Sequence, residues 1–188
     1  SLTAIGEVEA GKALTRGGAK PGDTVYVSGT IGDGALGLLA AQGNLDGLSD
    51  KDADYLKGRF RRPSPRVSTG ASLVGTASAC IDVSDGLVQD LGHIAAASGV
   101  SVRIKSDRIP LSKAAHAALE ADPSLLETIL TGGDDYELAF TSLEEPEVGD
   151  APLTVIGEVT EGAGVSVTGP AGEAIQLRSG GFNHFAGT

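Results

Sequence analysis

Residues 81–86 read Ile-Asp-Val-Ser-Asp-Gly, placing the Asp82 and Asp85 carboxylates and the Ser84 hydroxyl close together along the chain. Carboxylates with water suit Mg2+. Free backbone N–H groups at a helix start suit phosphate. Together they point to a metal–nucleotide site. Asp and Ser at a strand–helix junction also serve as plain helix caps. The six residues alone are open to both readings.

The flanking sequence supplies the elements that would hold this group. Ala77, Ala79, Cys80 and Ile81 are small and apolar, as in a buried strand, whereas Leu87, Leu91, Ile94, Ala95 and Ser98 recur with helical spacing. On a continued strand Asp82 and Ser84 would leave from one face. Ser84 or Asp85 would then fall at the helix N-cap, with Gly86 just inside.

Elsewhere strands and helices alternate. Pro21-Gly22-Asp23 is a turn signal, and Thr24 to Ser28 alternates as a strand. Gly29-Thr30-Ile31-Gly32-Asp33-Gly34 then leads into a helix from Ala35 to Ala41. This glycine-rich turn is neither a Walker loop nor a dinucleotide fingerprint; it can cradle phosphate or be an ordinary turn. A polar helix covers 50–60, followed by the only concentrated basic run, Arg59-Phe60-Arg61-Arg62-Pro63-Ser64-Pro65-Arg66. That run either faces an anion or is a solvated linker, and a helix starts at about Pro65.

The second half predicts a strand over Val100 to Lys105, a helix capped by Ser112, and a short helix from Ser124 to Leu130. Thr131-Gly132-Gly133-Asp134-Asp135-Tyr136-Glu137 runs as a turn into a strand and carries a second acidic cluster. Short strands follow at Leu153 to Val159, Val165 to Thr168 and Glu173 to Leu177. The pattern predicts an α/β sandwich, a sheet covered by helices, in a single domain over 1–188.

Composition narrows the function. The 188 residues carry a formal charge of −11, which disfavours nucleic acid and anionic membranes as partners. Nucleotides remain compatible, because Mg2+ bridges carboxylate and phosphate. Cys80 is the only cysteine, so no internal disulfide forms; a buried thiol and an intracellular, cytoplasmic setting are expected. No run of 18 apolar residues exists to span a membrane. His93, His116 and His184 lie far apart without metal-ligand spacing. The chain opens on Ser1 without a methionine, as a fragment or processed piece would.

Four stretches in order resemble the C-terminal half of thiamine-monophosphate kinases: Ala13 to Asp23, Ile81 to Ile94, Gly132 to Leu138, and Gly181-Phe182-Asn183-His184-Phe185. That family is related to aminoimidazole ribonucleotide synthetase. The resemblance implies a three-layer α/β/α domain with a ferredoxin-like element. It implies an ATP-dependent enzyme that phosphorylates thiamine monophosphate to thiamine diphosphate with Mg2+. It also implies a preceding Asp-rich N-terminal domain that forms a homodimer and supplies further metal ligands, a domain this chain lacks. Residue by residue, Asp82 and Asp85 match Mg2+ ligands, and Arg16 and Ser84 match ATP contacts. Asp134 and Phe182 match contacts to the acceptor; Glu is common in the family where Asp134 stands. A sister enzyme using ATP on another small acceptor, or a non-catalytic nucleotide-binding module, is the alternative.

Overall fold

The computed structural model describes residue 3, residues 5–147, residue 149 and residues 151–177. Its centre is a six-stranded sheet in the order β2-β4-β1-β5-β3-β6. The strands are β1 (Thr24–Ser28), β2 (Ala79–Asp82), β3 (Ser101–Lys105), β4 (Leu138–Ser142), β5 (Leu153–Thr160) and β6 (Gly164–Thr168). Neighbours are antiparallel except β3 and β6, which run parallel.

The helices are α1 (Asp33–Gln42), α2 (Asp50–Arg61), α3 (Val67–Ser72), α4 (Leu87–Ser98), α5 (Lys113–Ala121) and α6 (Leu125–Thr131). Period-two alternation sends Val25 and Val27 of β1 into the main core, where they share a cluster with Leu36, Leu87, Leu91, Ile94 and Ile129 from α1, α4 and α6. Tyr26 leaves the other face and stacks on Phe140, with ring centroids 5.1 Å apart and planes 7° from parallel. Leu73, just past α3, closes over that pair. The centre of the sheet is therefore covered on both sides, as the expected α/β layering requires.

Local signals held where the chain carries its own stop and start chemistry. The 20–23 turn closes through the Asp23 N–H on the Lys20 carbonyl and the Lys20 N–H on the Asp23 carboxylate, both at 3.0 Å. The Ser112 hydroxyl caps α5 by accepting from the Ala115 N–H. The helix expected from about Pro65 begins at Val67. One expectation needs correction. Residues 173–177 form no strand: one isolated bridge joins Ala174 to Thr168. The turn through Gly172 returns the chain beside β6, but pairing stops after the Ile175 N–H reaches the Val167 carbonyl.

Candidate functional site: two interlocked acidic loops

β2 ends at Asp82, so Ser84 lies in the turn and does not share a strand face with Asp82. The expected capping by Ser84 or Asp85 is also corrected. Gly86 is the N-cap of α4 at φ 123°, with no side-chain cap bond. The turn is held instead from inside the helix. Oδ2 of Asp90, in the first turn, accepts the N–H groups of Ser84 at 2.9 Å, Asp85 at 3.0 Å and Gly86 at 3.2 Å. An acid at the positive end of a helix is favourable. Those N–H groups are consequently not available to a phosphate; the loop offers the half-buried Ser84 and Asp85 side chains. Burial pushes the Asp90 carboxyl above its usual range despite the opposing pull of the backbone N–H bonds.

The second loop, 132–137, is laced to the first. The Asp134 N–H donates to the Ser84 carbonyl at 3.0 Å, the Tyr136 N–H to Val83 at 2.8 Å, and the Val83 N–H to Glu137 at 2.8 Å. Glycine is needed where the loops touch. A Cβ on Gly133 would sit 2.1 Å from the Ser84 carbonyl oxygen, and one on Gly86 would sit 2.4 Å from that of Thr131.

Along this loop the side chains alternate. Asp135 and Glu137 are buried, whereas Asp134 is half-buried and Tyr136 exposed. Asp135 accepts from Gly32 N–H at 2.7 Å and Gly34 N–H at 2.8 Å. Burial is the main cause that raises its carboxyl to about 7, with Asp33 and Glu137 adding to the rise. Glu137 accepts from the Ser28 hydroxyl at 2.7 Å, from Arg59 Nη2 at 3.0 Å, and from Arg66 Nε and Nη2 at 2.6 Å each.

These contacts decide two open readings. The glycine-rich turn spends the N–H groups of Gly32 and Gly34 on the Asp135 side chain, so those two are not offered to a phosphate. The basic run does face an anion, which is Glu137; Arg59 and Arg66 are not a solvated linker. Sequence reasoning missed Asp90, Asp135, Glu137, Arg59 and Arg66 as loop-holding residues, and Tyr136 as part of the exposed face. The available signal was Glu137 itself, an acid directly before the apolar Leu138-Ala139-Phe140. Such a position requires a cationic partner if buried.

The outward face gathers Asp82, Asp85, Asp134 and Tyr136. The Tyr136 hydroxyl donates to Asp134 Oδ1 at 3.3 Å. Its phenol is pushed above its ordinary pKa by desolvation first, then by the charges of Asp134, Asp82 and Asp85. One ring thus feels three carboxylates. Their hard oxygens fit Mg2+, which is commonly held by one or two carboxylates with water and phosphate completing its shell. Among the described residues no three His, Cys, Asp or Glu side chains close around a metal position. The fit is to an open site of that kind.

Arg16 is exposed. The Thr15 carbonyl accepts from the Cys80 N–H at 2.9 Å, and the Arg16 carbonyl from the Ser98 hydroxyl at 3.4 Å. The segment therefore lines the free edge of β2, and its anchor on α4 is that helix's C-terminal end, opposite Ser84. Phe182 lies outside the described residues. Burial raises the Cys80 thiol to about 11, as suits an unreactive cysteine. His93 and His116 are exposed on helices. No described helix is long and apolar enough to cross a membrane.

A helix-flanked sheet with two interlocked loops presenting outward carboxylates defines an α/β domain with an open acidic face as its candidate site. The chain belongs to the family of AIR synthase related protein C-terminal domains, whose model matches residues 20–170. It is 43% identical over 189 residues to the thiamine-monophosphate kinase of Escherichia coli strain K12, covering 96% of this chain and 58% of that protein. It is 39% identical over 197 residues to the Bacillus subtilis enzyme, covering 98% of this chain and 59% of that one. Among solved structures it is similar to AaThiL complexed with AMPPCP and TMP, at TM-score 0.77 and 35% identity over 92% of this chain and 54% of that one. The thiamine-monophosphate kinase of Stenotrophomonas maltophilia K279a gives TM-score 0.73 and 40% identity over 89% of this chain and 56% of that one. Escherichia coli HypE, at 22% identity and TM-score 0.65, shares the fold.

Proposed function

We propose that this chain is the C-terminal part of an ATP-dependent kinase that converts thiamine monophosphate to thiamine diphosphate. The observation that carries the reading is the lacing of the 83–86 and 132–137 loops, which brings Asp82, Asp85 and Asp134 together around Tyr136, beside Ser84 in the turn. Its relatives of that name, and a structural neighbour complexed with AMPPCP and TMP, support it.

In this reading Asp82 and Asp85 would hold Mg2+, which would supply charge neutralisation for the phosphates. Ser84 donates its hydroxyl to an ATP phosphate oxygen, and Arg16 contacts ATP from the β2 edge. Asp134 and Phe182 orient the acceptor; an aromatic face suits a cationic thiazolium ring. An acceptor phosphate oxygen forms the new P–O bond as the bond between the β and γ phosphates of ATP breaks, releasing ADP. The acceptor is already largely ionised at neutral pH, so no strong general base is required. The remaining metal ligands come from an Asp-rich N-terminal domain, through which the full-length protein forms a cytoplasmic homodimer.

The test is thiamine diphosphate formation from ATP, Mg2+ and thiamine monophosphate. Full-length protein is expected to turn over, and residues 1–188 alone are not. Turnover by residues 1–188 near 1 per second, the lower end of common kinase rates, overturns the shared-site reading. Full-length protein that consumes ATP only with another phosphoryl acceptor overturns the thiamine assignment in favour of a sister enzyme.

A further inference from the structure

We propose that Glu137, clamped by Arg59 and Arg66, is a positioning residue that fixes the 132–137 loop and thereby the places of Asp134 and Tyr136. What those two residues then bind rests on the function proposed above.

Asp134 and Tyr136 both have left-handed backbone, at φ 71° and 52°. Non-glycine residues hold such conformations only where the surroundings over-determine them. Here the two are interleaved with two buried anchors. Asp135 is tied to Gly32 and Gly34. Glu137 accepts from the Ser28 hydroxyl and from the guanidinium groups of Arg59 and Arg66, and its side chain is fully buried. Ser28 passes the constraint on, because its hydroxyl also accepts the Leu138 N–H at 2.9 Å.

The two arginines come from the last turn of α2 and from the segment entering α3, 78 and 71 residues away in sequence. A planar guanidinium engaging both carboxylate oxygens admits one geometry. An apolar side chain could fill the same volume, but it would not select that geometry. The clamp therefore sets which way the loop turns, and the loop sets where Asp134 and Tyr136 stand relative to Asp82 and Asp85.

The experiment separates positioning from stability. Full-length wild type, Glu137→Gln, Arg66→Lys and the double variant Glu137→Gln/Arg66→Gln are compared by thermal unfolding and by hydrogen exchange of the segment 132–138. The double variant removes the uncompensated charge and leaves Arg59 beside Asp33, at 3.7 Å in the wild type. Its unfolding temperature is expected to recover relative to Glu137→Gln. The Asp134 and Tyr136 amides are still expected to exchange about 10-fold faster than in wild type, a local opening. Amides of β1 and β5 should be unchanged, and the acceptor KM should rise more than the ATP KM. Exchange that recovers with the unfolding temperature, or that changes evenly across the protein, overturns the proposal. Should the double variant fail to fold, Arg66→Lys carries the same comparison, since it keeps the charge and loses the fork. The exchange readout needs no turnover. A protein inactive on thiamine monophosphate with the local opening intact would sink the functional reading and leave the clamp standing.

Discussion

Asp90 offers the sharpest test of how the 83–86 turn is held. One oxygen takes three backbone N–H groups, and the residue is 2% exposed. Asp90→Ala removes the acceptor and strands all three donors. An unsatisfied buried donor costs about 1–3 kcal/mol, but Ser84 and Asp85 are only half-buried and water reaches part of the turn. A total of about 3 kcal/mol is expected. Asp90→Asn should behave differently. Its carbonyl oxygen can occupy the same point and accept the same bonds, without a buried charge. The carboxyl pKa is raised, so desolvation of the charge outweighs what the N–H groups return. The sign follows. Stability from a raised acid is complete below its unfolded pKa and is lost as pH rises through the folded value. Asn lacks that loss, so Asp90→Asn should cost about 1 kcal/mol or less at pH 7 and should compare better with wild type there than in acid. The assay is urea unfolding of wild type and both variants in acid and at neutral pH. If Asn is as damaging as Ala at neutral pH, the turn needs the negative charge itself and the reasoning is refuted. In the full-length protein Ala, but not Asn, should lower turnover, because Ser84 and Asp85 hang on those N–H groups.

Asp85→Asn should leave unfolding free energy within about 0.5 kcal/mol, because Asp85 is not the cap, while cutting full-length turnover about 100-fold or more as a lost metal ligand; steady-state kinetics beside urea titration checks both. Asp135→Asn should flatten the pH dependence of stability. The wild-type acid is raised from 3.8 to about 7, so its contribution is present below 3.8 and is lost on the order of 4 kcal/mol as pH rises to about 7; parallel slopes for wild type and variant in denaturant melts from acid to neutral pH would dismiss this. Gly133→Ala should destabilise by about 2 kcal/mol or more and open the loop pair, since its Cβ meets a backbone carbonyl that cannot move aside; calorimetry reads the loss. Phe182→Ala should weaken thiamine monophosphate binding by about 1–2 kcal/mol and leave a non-hydrolysable ATP analogue unaffected, in the range of a partly desolvated cation–π contact; equal weakening of both in calorimetric titration would make Phe182 a packing residue.

What was readable in the sequence was chemistry carried within a few residues. Val25 and Val27 alternate with polar or opposite-facing neighbours, so β1 is visible. Ser112 precedes a helix and caps it. Asp82, Ser84 and Asp85 stand out because acids and hydroxyls gather where a strand meets a helix. The partners that hold those residues were not readable, because none is local. Glu137 and Arg66 are 71 residues apart, and Asp135 and Gly34 are 101 apart. Nothing in spacing says which acid the basic run meets. Asp90 was hidden differently: it is close in sequence, but it caps backward from within the helix, where an Asp also reads as ordinary first-turn polarity.

Burial divides the acids of this region into two jobs. Asp33, Asp90, Asp135 and Glu137 are inside, and each has donors: hydroxyls and an arginine for Asp33, backbone N–H groups for Asp90 and Asp135, two arginines and Ser28 for Glu137. Desolvating them is costly, and that cost is met by contacts that tie the 83–86 and 132–137 loops to α1, α2 and β1. Asp82, Asp85 and Asp134 are the acids left facing outward, close enough to one another to act on the same tyrosine. Like charges gathered on a surface repel, and folding alone gives no reason to concentrate them. A cation bound between them would relieve that repulsion, and a phosphate would accept the same cation from the other side. The interior acids therefore build the shape, the exterior acids supply the field, and substitutions in the two sets should part company. Inner variants should open the laced loops, whether or not global stability falls with them. Outer variants should move turnover and metal dependence while the fold stays unchanged.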